Sequence, residues 1–207
     1  VLRLKDPLAD SRRIPVSVRA YGEDRMHRLG INRDIVLPVE AIDGTMGHSI
    51  VTASLSGALA EALGLDEAFQ KDIFEGAFYH DVGRKNVPEH LLNQDDTVTS
   101  LPEQDQRMIR VHVEAAPLVL STMGIHLAPE ALLAIESHHE RFDGSGYPKA
   151  LSGEAIPMGG RLIRVASEYD HLTSPRQFRD GWEPTAAIVE MKTSADRGIL
   201  DPKIVAA

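Results

Sequence analysis

The stretch His138-His139-Glu140-Arg141-Phe142-Asp143-Gly144-Ser145-Gly146-Tyr147-Pro148 decides how the rest of this chain is read. Two adjacent imidazoles follow an apolar-periodic segment and run straight into a charged loop broken by two glycines. Neutral imidazole is a good ligand for first-row transition metals. Gly144 and Gly146 allow a sharp turn and a close backbone approach to a ligand. Helical spacing puts Ala131, Ile135 and His138 on one face, and Leu132, Ile135 and His139 on the edge beside it. Successive helical residues diverge by about 100°, so the pair suits two neighbouring metals better than one.

Working outward, a second dyad stands at His80-Asp81, behind the stripe Phe69, Ile73, Ala77. Asp66 is placed to cap that helix and Gly83 to end it, which puts His80 and Asp81 in its last turn. His48 shares an apolar stripe with Val51 and Leu55 on a helix expected from about Thr45 to Gly64. His112 lies with Met108, Val111, Ala115 and Val119 on a long helix. Ser100-Leu101-Pro102-Glu103 has capping-box spacing for its start, Pro117 should kink it, and Gly124 closes it. Pro129 and Pro184 open helices, Pro157 precedes another, and Leu200-Asp201-Pro202-Lys203 reads as a turn. Helix and short loop alternate throughout, which makes the expected fold class all-α.

The composition narrows the chemistry. There is no cysteine, so any metal is held by nitrogen and oxygen. The net charge of −9 argues against bulk nucleic-acid binding. No apolar run approaches the roughly 18–20 residues of a membrane span, and no signal-peptide pattern is seen, so a cytoplasmic protein is expected. Residues 1–33 are net basic while the remainder carries the acidic excess. Residues 1–43 are therefore read as a basic connector or part of a preceding domain, and residues 44–207 as one domain. Within 1–43, Ile14, Val16 and Val18 alternate like a strand around Pro15, and Tyr21 to Leu29 could form a short helix.

Five of the nine histidines, His48, His80, His112, His138 and His139, fall on inward faces or in dyads. Five imidazoles exceed one tetrahedral site. With Asp81 as a bridging carboxylate they suit two metals about 3.5–4 Å apart, an arrangement that activates water and neutralises charge on a phosphodiester.

The block His138 to Pro148 behind His80-Asp81 resembles the HD-GYP family, a branch of the HD phosphohydrolases, over about Gly44 to Asp201. The resemblance implies an HD-type helical bundle around a metal centre that hydrolyses cyclic di-GMP to pGpG, and onward to GMP. It implies ligands at His48, His80, Asp81, His112, His138 and His139, with Asp81 and Arg84 as catalytic residues. The family's last ligand, an aspartate on the helix after the loop, is carried onto Glu168. There, Arg164 one turn earlier offers a rival ion pair. Arg84 stands where the family has lysine. Arg84, Arg176 and Arg179 match positions where the family meets substrate phosphate, whereas Asn93-Gln94-Asp95-Asp96 lacks the family's basic loop. Tyr147 is a substrate-binding candidate because its ring can stack on or hydrogen-bond a guanine, with packing of the loop as its other role. A glutamate that holds a third metal in some members is replaced by Gly44, so two divalent transition metals (Fe, Mn, Zn, Ni or Co) are expected. The alternative is a catalytically impaired module that binds a cyclic dinucleotide or a signalling protein, or one that hydrolyses another cyclic dinucleotide. A sensory or receiver domain in the full-length protein would be a further partner.

Overall fold

The structure, a computed structural model, describes residues 24–25, 27–28, 46–92, 101–174 and 180–207. Gly44, the Ser100 cap, the loop 93–96, Arg176, Arg179 and the strand-like alternation at Ile14–Val18 lie outside those residues. Among the described residues there is no strand, in line with the all-α expectation.

Helix α1 spans Met46–Ala62 and ends where Gly64 takes a positive φ of 70°. Helix α2, Glu67–Tyr79, starts as expected, with the Asp66 carboxylate accepting from the Phe69 N–H at 2.9 Å. It stops earlier than expected. His80 is its C-cap, and Asp81 leads into a 3₁₀ turn over Val82–Asn86. A Cβ at Gly83 would overlap the carbonyl of His112, so this turn can lie against helix α3, Glu103–Thr122, only because residue 83 has no side chain. Pro102 is the N-cap of α3 and makes no side-chain cap. The helix then continues past Pro117.

Helix α4 covers Pro129–Ser137, α5 Met158–Thr173, α6 Pro184–Asp196 and α7 Pro202–Val205. The stretch read as a turn at 200–203 is in part this last helix. Asp201 caps it by accepting from the Lys203 N–H at 2.9 Å, and it also pairs with Arg161 at 2.6 Å.

Helix α1 packs on α2 and α5, α2 on α4, and α4 on α5. Ile73, Phe74, Ala77, Ile135, Leu162 and Ile163 fill the space between them and are almost wholly buried. Gly159 faces Ile73 and Ala134 with no room for a Cβ, which lets α5 approach α2 and α4 closely. That packing brings the end of α2, the end of α4 and the middle of α5 to one place.

Of the basic leader, residues 24–25 and 27–28 are helical. Arg25 is buried, with its guanidinium bonded to Glu61 of α1 at 2.5 Å and to the Gln70 side chain of α2.

Candidate metal centre

Each of the five histidines sits where a helix ends or turns inward. His80 and His138 are C-caps of α2 and α4, His139 follows, His112 is on the buried face of α3, and His48 is near the start of α1. Because α4 ends at Ser137, His138 and His139 do not follow the divergence of a continuing helix. Their rings lie 4.1 Å apart, and both belong to one potential ligand group with Asp81 and His112. A second group is His48, His80 and Asp81. Within each group one ligand atom per residue lies within 4.8 Å of the others. The expected division of the His138-His139 pair between two metals is therefore not what the geometry offers.

Asp81 joins the groups through different oxygens. Its Oδ1 is 3.5 Å from His112 Nε2 and 3.9 Å from His138 Nε2. Its Oδ2 is 3.8 Å from His80 Nε2 and 3.9 Å from Arg84 Nε.

The ring orientations share one design. The Nδ1–H groups of His80, His112 and His138 donate to the carbonyls of Ala77, Ile109 and Ile135 at 2.7, 2.7 and 2.6 Å. His48 donates instead from Nδ1 to Asp170 Oδ2 at 2.5 Å. Protons held on Nδ1 leave the Nε2 lone pairs directed inward, as second-sphere partners do for metal-bound histidines. His112 and His138 Nε2 are buried and have no hydrogen-bond partner. His48 and His80 Nε2 face each other at 3.1 Å, where two lone pairs repel unless a cation lies near them. Buried polar atoms left this way cost free energy that a bound cation would recover. The donor set of neutral imidazoles and one carboxylate fits a divalent transition metal.

The electrostatics agree. Burial first, then His139, lowers His112 to about 4; burial lowers His80 to about 4 against the pull of Asp81. Burial and the adjacent His139 hold His138 well below the ordinary imidazole range. Burial alone would raise Asp81, but attraction to His80, Arg84 and His112 outweighs it and keeps the carboxyl well below its usual range. At neutral pH His80, His112 and His138 are neutral and Asp81 is ionised, the forms that bind metal.

Glu168 stands apart. Its carboxylate accepts from Arg164 Nη2 at 3.1 Å, and it belongs to neither ligand group. The carboxylate of α5 that reaches the histidines is Asp170, almost wholly buried, and it does so through His48. Ser167 lies one helical turn before Asp170 on the same face, with its Oγ 3.4 Å from His48 Nε2. The structure thus does not bring Glu168, expected as the last ligand, to the histidines.

The loop after His139 is fastened from within. Glu140 is buried, and its carboxylate accepts from the Lys149 and Leu151 N–H groups at 2.7 and 3.0 Å. A Cβ at Gly146 would overlap the backbone of Glu140 and Arg141, so the loop closes only with glycine there. Tyr147 is thereby stacked on His139, with ring centroids 4.7 Å apart, and the Arg110 guanidinium lies 5.1 Å from the tyrosine ring. Arg84 is anchored by its Nη2 to the Leu92 carbonyl at 2.7 Å, beside Asp81. Neither Glu140 nor Arg110 stood out in the sequence, since a charged residue in a loop or on an exposed helix face carries no periodic signal.

The sequence pattern of the HD domain matches residues 28–204. The chain belongs to the HD domain family. The block His138 to Pro148 places it in the HD-GYP branch. This HD domain is 34% identical over 165 residues to the cyclic di-GMP phosphodiesterase response regulator RpfG of Xanthomonas campestris, covering 79% of this chain and 42% of that protein. It is 31% identical over 147 residues to 3'3'-cGAMP-specific phosphodiesterase 2 of Vibrio cholerae, covering 71% of this chain and 27% of that protein. The chain thus spans less than half the length of these curated relatives. A solved structure of a HDG"Y"P protein from Bdellovibrio bacteriovorus superposes with a TM-score of 0.64 at 22% identity, over 97% of this chain and 62% of that one. That likeness is one of fold. Among the described residues no helix is long and apolar enough to cross a membrane.

Proposed function

We propose that this HD domain is a phosphodiesterase that opens cyclic di-GMP to linear pGpG, with GMP as the product of a second cut. The observation that carries the reading is Asp81, whose two oxygens face two separate histidine groups with unpartnered or opposed Nε2 atoms. His112, His138 and His139 with Asp81 would hold one divalent cation, and His48 and His80 with Asp81 the other. Two such cations supply an activated water and offset the charge of the phosphodiester. The chain's own residues do the rest. Arg84, fixed by Leu92, presents a guanidinium beside Asp81 to meet a phosphate oxygen. Tyr147, braced by His139 beside the donor groups, offers an aromatic ring for a base. Arg176 and Arg179 are proposed as further phosphate contacts on their sequence position alone.

The similarity to a named cGAMP phosphodiesterase supports a second reading, hydrolysis of a mixed cyclic dinucleotide by the same centre. Protein loaded with Mn²⁺ and incubated with cyclic di-GMP or 3'3'-cGAMP, with products separated by chromatography, decides between them. Linear pGpG from cyclic di-GMP is the expected result. Turnover of 3'3'-cGAMP alone moves the assignment to the second reading, and no linear product from either ligand defeats both.

A further inference from the structure

We infer that the two cation positions are unequal and that Ser167 sets the difference: the His112-His138-His139-Asp81 group binds first, and the His48-His80-Asp81 group binds second and more weakly. The inference rests on the two-cation reading above. Four protein donors surround the first position, a number that closes a tetrahedral site. Three surround the second, and Asp81 is common to both.

Helix α5 passes over the second position and is the element that could complete it. It delivers a neutral hydroxyl there, since Ser167 Oγ is 3.4 Å from His48 Nε2. No carboxylate of α5 substitutes. Glu168 is engaged by Arg164. Asp170 has both oxygens committed, Oδ2 to His48 Nδ1 at 2.5 Å and Oδ1 to the Ser174 hydroxyl at 2.7 Å. It orients a ligand without being one.

Burial points the same way. The His112 side chain is fully enclosed, whereas 16% of the His48 side chain is exposed. The first position offers buried Nε2 atoms that have no partner to give up on binding. The second pairs the buried His80 with one partly exposed ring, His48, whose Nε2 already has neighbours in His80 and Ser167. A carboxylate at residue 167 would add a charged oxygen donor on the side that lacks one, so Ser167 is a determinant of occupancy rather than a catalytic residue.

The test is a titration of the chelator-stripped chain with Mn²⁺, followed by calorimetry and by elemental analysis after equilibrium dialysis. The parent should bind two equivalents in separate steps, the second weaker by about tenfold or more. Ser167→Asp should tighten the second step and leave the first unchanged. Asp170→Asn, which frees His48 to turn, should weaken the second step alone by roughly 10–100-fold. Should Ser167→Asp fold poorly, as judged by circular dichroism, His48→Ala still decides, because it should abolish only the weaker step while His139→Ala impairs the tighter one. Two steps of equal affinity in the parent, or His48→Ala acting on the tighter step, overturn the inference and leave the phosphodiesterase reading standing. Uptake of no Mn²⁺ at all overturns that reading and the inference with it.

Discussion

On the α3–α4 side of Asp81, His112 and His138 are enclosed, their Nδ1–H groups are bonded to main-chain carbonyls, and their Nε2 atoms have no partner. On the α1–α5 side, His48 is partly exposed and is held by a side chain, Asp170, on another helix. A main-chain carbonyl one turn back along the same helix is as fixed as the helix itself. A carboxylate across a helix interface is only as fixed as the packing of α1 on α5. One ring of this centre, His48, is thus oriented by tertiary contact, whereas His80, His112 and His138 are oriented by their own helices, so the position that His48 serves should respond differently to mutation.

Asp81 is where that contrast disappears, and it carries the largest expected effect. Asp81→Ala removes the oxygens common to both groups. Both cations should be lost, and cyclic dinucleotide hydrolysis should fall by about a thousandfold or more. Elemental analysis and product chromatography check this, and full metal retention would show that the two groups are independent.

Gly83→Ala strikes the enclosed half through its backbone. The new methyl would overlap the His112 carbonyl, pushing the turn that carries Asp81 off α3. A loss of about 1–3 kcal/mol is expected by thermal or urea unfolding, together with weaker metal retention. An unchanged midpoint would show that α3 moves without cost.

Glu140→Ala loosens the loop beyond His139 without touching a ligand. Two partly buried N–H groups lose their charged acceptor, at about 1–3 kcal/mol. The parent's metal content should persist while the KM for the cyclic dinucleotide rises, because Tyr147 loses its bracing. A fall in metal content with KM unchanged would assign Glu140 to the centre itself.

The smallest effect is expected at α5. Glu168→Ala and Arg164→Ala each remove one side of a partly exposed pair worth a few tenths of a kcal/mol. Neither should change the number of bound cations. Loss of one equivalent in Glu168→Ala alone would restore Glu168 as a ligand and erase the distinction from Ser167.

Much of this was legible in the order of residues because helical period is a local property. The stripes through Ile73 and Ala77, and through Ala131 and Ile135, direct His80 and His138 inward whatever else the chain does. Asp66 and Gly64 mark helix ends by hydrogen bonds and dihedral angles that reach only a few residues. Errors arose where a helix end or a helix phase depends on a neighbour. Helix α2 stops at Tyr79 because the following turn must fit under α3. Helix α4 stops at Ser137, which brings His138 and His139 to one group.

By itself the sequence determined that the chain is helical, that nitrogen and oxygen rather than sulfur would hold any metal, and that five histidines and Asp81 were the donors to consider. Those conclusions follow from composition and from periodicity along single helices. Only the tertiary structure decided which donors share a group, that Asp170 rather than Glu168 reaches His48, that Ser167 stands over the second position, and that Glu140 is buried to hold the loop. Each depends on the rotation of one element against another. A rotation of about 100° exchanges one residue for the next, while the residues themselves stay the same.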